Sequence, residues 1–123
     1  MTQIDTTTYS VTVGENVTVE VQAFHTGNFV QVFLNGAEKQ PSTLNPPTFV
    51  LPMAGANGID SARVSCQFAN EAPDNAHYQL FFTGSGGGGK FTGSDIIKVS
   101  AVWHADISFI SDPALLKQLT GGN

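Results

Sequence analysis

From Asp95 to Ile110, the residues Ile97, Val99, Ala101, Trp103, Ala105, Ile107 and Phe109 alternate with mostly polar side chains. Successive side chains of a β-strand point to opposite faces, so this spacing predicts one long strand, or two joined by a bend, with the apolar series facing a core. Weaker versions of the pattern recur. Thr7 to Val13 reads as a first strand, and Val17, Val19, Val21 and Ala23 line one face of a second; Gly14-Glu15-Asn16 between them predicts a hairpin. Asn28 to Leu34 places Val30, Val32 and Leu34 together, and the Asn35-Gly36 that follows signals a type I′ turn. Further strands are expected from Ser61 to Ala69 and from Ala76 to Thr83. Gln40 to Pro52 carries four prolines, which cannot donate to a sheet ladder, so it reads as a loop with a short edge strand at Thr48 to Leu51.

Seven or eight strands with hairpin-like connections, and no helical segments between them, exclude a parallel α/β fold. The expected fold is all-β: an antiparallel β-sandwich occupying residues 1–123 as a single domain, with immunoglobulin-like or jelly-roll order left open. A short C-terminal helix is expected to start at Pro113, capped by Ser111 or Asp112, with Leu115, Leu116 and Leu119 as its apolar stripe. The segment Val11-Thr12-Val13-Gly14-Glu15-Asn16-Val17-Thr18-Val19 resembles the opening strands of an immunoglobulin-like domain, although the paired cysteines and the Trp between them are absent.

Composition narrows the function classes. The chain is acidic, with a net charge of −5 and no cluster of basic residues to neutralise neighbouring phosphates, so nucleic acid is not an expected partner. Its apolar runs fall short of the roughly 18 residues that cross a bilayer, and Met1 to Asp5 lacks the features of an export signal, so a soluble protein without a membrane partner is expected, its compartment left open with a lean to the cytoplasm. Cys66 is the only cysteine and shares a strand face with Ala62, Val64 and Phe68, as a buried small hydrophobe would.

Catalytic patterns are missing. Gly84 to Lys90 has most of the spacing of a phosphate-binding loop, but Phe91 stands where a metal-ligating Ser or Thr belongs. Residues 84–89 therefore read as a flexible Gly-rich loop, beside which Phe82-Thr83-Gly84-Ser85 recurs as Phe91-Thr92-Gly93-Ser94. Of His25, His77 and His104, only His104 has a neighbour of ligating type on its own strand face, Asp106, and a metal site needs three or four ligands. No nucleophile elbow is present and no spacing singles out a pair of acids, so no catalytic residue, metal or cofactor is assigned and the chain is read as non-enzymatic.

The placement of phenylalanines points elsewhere. If the valine series define core faces, then Phe24, Phe29, Phe33 and Phe81 fall on the opposite faces among Gln22, Gln31 and Gln79. Each ring left in water forfeits about 1.5–3 kcal/mol of burial. A β-bulge, a covering loop or helix, or another chain would resolve this. The expected function is binding or assembly, with the chain self-associating as a homo-oligomer or binding another protein through a Phe-bearing face. The alternative is a lectin-like module that holds a glycan or small ligand through loops carrying Asn57, Asp60, Asp74, Asn75 and Lys90.

Overall fold

Alternation in sequence becomes alternation in burial. The computed structural model describes residues 2–23, 28–44, 46–68, 76–84, 87–94 and 102–120. Along β2 (Asn16–Ala23), Val17, Val19 and Val21 are buried. Along β7 (Ile59–Phe68) the buried series is Asp60, Ala62, Val64, Cys66 and Phe68, and along β10 (Val102–Ile110) it is Trp103, Ala105, Ile107 and Phe109.

These strands belong to two five-stranded sheets and not to a closed barrel. The first sheet adds β1 (Thr2–Ser10), β3 (Asn28–Leu34) and β4 (Ala37–Lys39) to give the order β1-β10-β7-β3-β4. The second combines β5 (Thr43–Leu44), β6 (Pro47–Pro52), β2, β8 (His77–Gly84) and β9 (Gly87–Ser94) in the order β5-β6-β2-β8-β9. Both contribute to one hydrophobic cluster. Tyr78 of the second sheet stacks on Phe68 and Trp103 of the first, at ring-centroid distances of 4.5 and 5.8 Å, and Phe82 meets Phe109 edge-on at 6.2 Å. Such aromatic contacts add to the burial of the rings themselves.

The turn at Asn35-Gly36 forms as the sequence predicts. Both residues have positive φ, 50° and 85°, which is what a two-residue type I′ hairpin demands. Three other expectations are corrected. β1 and β2 do not pair: β1 lies in the first sheet, in parallel with β10, so the architecture is not wholly antiparallel. The Gly14 turn bonds instead to the end of β6, through Gly14 N to Met53 O at 2.8 Å and Met53 N to Glu15 O at 2.9 Å. β6 is not an edge strand, because its prolines stand at its two ends and leave the residues between them to bond β5 on one side and β2 on the other. Finally, Gly84 and Gly87 to Gly89 are not a loop but the end of a β8–β9 hairpin, with Gly84 opposite Gly87 and Phe82 opposite Gly89. Most of the run from 95 to 101 lies outside the described residues.

Candidate functional site

The first sheet has one face on the core and one turned away from it, and strand pairing fixes which side chains are neighbours on the outer side. One cross-strand row reads Thr6, Asp106, Arg63, Phe33, Glu38. The next is Ile4, His104, Ser65, Gln31, and a third contains Val102, Gln67 and Phe29. Phe29 is 63% exposed and Ile4 55%, while Phe33 and Val102 are half-buried. Phe29 and Phe33 stand on β3 with Gln31 between them, while Ile4 and Val102 are diagonal neighbours on β1 and β10, so the outer face carries apolar side chains at two places separated by Ser65 and Gln67 of β7.

Beside Phe33 lies a shallow groove of about 600 Å³, bordered also by Gly36, Ser61, Arg63, Asp106 and Ser108 among others. Its polar wall is a bidentate ion pair, with Arg63 Nε donating to Asp106 Oδ1 at 2.6 Å and Nη2 to Oδ2 at 2.8 Å. The Arg63 hydrogen bond holds the Asp106 carboxyl below the usual carboxylate range, partly against burial. Both side chains keep substantial access to water, 47% and 32%, so the pair contributes no more than about 1 kcal/mol to stability. Its geometry presents a flat polar surface next to the Phe33 ring.

The four phenylalanines do not share a face. Phe29 and Phe33 project from β3 in the first sheet, whereas Phe81 is half-buried on β8 in the second, paired with Glu20. Phe24 lies outside the described residues. Of the ligand-loop candidates, Asp60 is corrected outright. It is fully buried, and its carboxyl oxygens accept hydrogen bonds from Asn35 Nδ2 at 3.0 Å and from Gly55 N at 2.8 Å. Asn57 is exposed in the turn Ala56–Gly58 with a left-handed φ of 58°, and Lys90 is a member of β9; the backbone elements that carry them belong to different parts of the fold. Asp74 and Asn75 lie outside the described residues.

Asp106 is taken up by Arg63, and among the described residues no three His, Cys, Asp or Glu side chains are grouped to hold a metal ion. Burial pushes the Cys66 thiol well above its ordinary value, which leaves it unreactive. Among the described residues no helix is long and apolar enough to cross a membrane. No protein-family model, curated protein or solved structure matches this chain.

Arg63 and Ile4 were not singled out by the sequence. Arg63 had a usable signal, since it alternates with Ala62 and Val64 and so belongs on the outer face with Asp106. Ile4 precedes the segment that reads as the first strand.

His104 makes this face sensitive to pH. Burial, and then the Arg63 guanidinium, hold its imidazole below the ordinary value, with Asp106 acting in the opposite direction. Its Nδ1 has no hydrogen-bond partner among the described residues. The unfolded chain therefore takes up the proton more readily, at about pH 6.5, so stability is complete above that value and is lost as the pH falls through the lower folded value. Urea midpoints should decline as the pH falls below about 6.5, and His104→Gln should flatten that decline.

Proposed function

We propose that this chain is a non-enzymatic assembly module that associates with a second copy of itself through the outer face of its first sheet. The observation that carries the reading is Phe29, a large ring mostly in water on a face it shares with Ile4, Phe33 and Val102. A projecting ring and a groove on one face suit an isologous contact, in which Phe29 of each copy enters the groove beside Phe33 of the other. The Arg63–Asp106 pair at the groove wall would supply orientation more than affinity.

The fold that accompanies this reading is a face-to-face β-sandwich. It is supported by the single core fed by both sheets and by the ring contacts that cross between them. The helical segment α1 (Pro113–Thr120) would cover one end, with Asp112 Oδ1 accepting the Ala114 N–H at 2.9 Å as an N-cap does.

Sedimentation equilibrium at micromolar concentration tests the association. Phe29→Ser with Phe33→Ser should weaken it by about 2 kcal/mol or more for each central ring. The same pair should change the stability of the folded chain by about 1 kcal/mol or less, because neither ring is in the core. A monomeric wild type, or an oligomer indifferent to both substitutions, would refute the proposal.

A further inference from the structure

The four sheet edges are unequal. β4 and β5 are three and two residues long, too short to offer another strand much of a template. β1 runs for nine residues and pairs with β10 along its whole length without a bulge, while among the described residues no strand bonds its other edge. Proteins protect long edges with Lys, Pro, bulges, inward-pointing charges or a covering element, and an inward charge protects least where a neighbour in the same sheet already satisfies it. Thr2 to Ser10 contains no Lys, Arg, Glu or Pro. Its one charge, Asp5, is turned inward to accept the Trp103 indole N–H at 2.7 Å. β9 is also long, at eight residues, but it is rich in glycine and costs more entropy to hold as a template.

We infer that the free edge of β1 pairs with β1 of a second copy, in antiparallel orientation and centred on Thr6. A two-fold axis perpendicular to the sheet keeps outer faces on the same side, so only registers that oppose residues of equal parity are available. The register that uses all nine residues sets Thr6 against Thr6, Ile4 against Thr8 and Asp5 against Thr7 of the other copy. No like charges are opposed in it. Sliding by two residues to centre on Asp5 would set carboxylate against carboxylate, which is repulsive. Threonine pairs are favourable cross-strand neighbours, and antiparallel pairing is the stronger ladder. A second copy therefore meets this edge over all nine residues with no like charges opposed, and that fit is the reason the occupant inferred is a second copy.

This contact is separate from the Phe29 and Phe33 face and is best tested where that face has been disabled. Single cysteines would be placed at positions 4, 6 and 8 of the full chain carrying Phe29→Ser and Phe33→Ser. All three native residues are exposed, and buried Cys66 does not compete. Directly opposed Cα atoms lie about 4.5–5.5 Å apart, within the roughly 4.4–6.8 Å that a disulfide bridges. Ile4→Cys or Thr8→Cys would leave the two thiols roughly 13 Å apart along the strand. Under mild oxidation Thr6→Cys should form a covalent dimer at least tenfold faster than either neighbour. Thr6→Lys, which opposes two ammonium groups, should weaken the non-covalent dimer by at least tenfold. Equal rates at the three positions, or no dimer from Thr6→Cys because the edge takes a different chain, would overturn the inference.

Discussion

Replacing Trp103 by alanine should cost about 3–5 kcal/mol of folding stability, the usual range for emptying a buried aromatic site. Whole domains are stable by only about 5–15 kcal/mol, so the loss would be a large fraction of the total. The size follows from where the ring sits. Trp103 is 2% exposed, stacks on Tyr78 across the two sheets, and donates its indole N–H to Asp5. Removal opens a cavity in the shared core and releases the bond that holds edge strand β1 to β10. Trp103→Phe would keep most of the volume and lose the bond, and should fall between wild type and Trp103→Ala. Because this is the sole tryptophan, the variants should be followed by circular dichroism in urea. A loss under about 1 kcal/mol for Trp103→Ala would mean that the core does not pass through this ring.

Asp60→Ala should also be damaging, at about 1–3 kcal/mol, for a different reason. The carboxyl group is fully buried and joins two turns, accepting from Gly55 N on one side and Asn35 Nδ2 on the other. Asn35 in turn accepts from Ser61 N at 2.9 Å, so the hairpin turn is fixed to β7 through the same group. Truncation removes the acceptor from two donors, Gly55 N and Asn35 Nδ2, that keep partial access to water, so each loses about the 0.5–1.5 kcal/mol of an ordinary hydrogen bond. Asp60→Asn retains one acceptor and should cost less. Chemical denaturation of both variants decides the matter: if Asp60→Ala is as stable as wild type, the buried network contributes nothing net.

The two residues also mark what can be read locally and what cannot. The inward direction of Trp103 follows from alternation alone, and Asp60 carried the same signal, since it shares parity with Ala62, Val64 and Cys66. Loop polarity concealed it, because an acid beside Asn57-Gly58 looks like a ligand group until the core parity of β7 is extended back to Ile59. Partner choice was not legible at all. The Gly14 turn shows that the chain reverses, but the pairing of β1 with β10 is a contact between residues about a hundred positions apart, as the Asp5–Trp103 hydrogen bond across 98 positions illustrates, and no local pattern signals it. The phenylalanines divide in the same manner. Their outward direction follows from parity within each strand, whereas the separation of Phe81 from Phe29 and Phe33 depends on which sheet each strand joins. Prolines misled for a related reason: Pro47 and Pro52 bound β6 and do not interrupt it.

The central claim is that the outer face of the first sheet is covered in the assembled protein. Hydroxyl-radical footprinting across a dilution series reads this directly, because Phe29 is open in a single copy while Phe109 is buried in the core at every concentration. Labelling of Phe29 should be strong when the protein is dilute and should fall as concentration rises, in step with the measured mass, while Phe109 stays silent throughout. Constant labelling of Phe29 from dilute to concentrated protein would contradict the account.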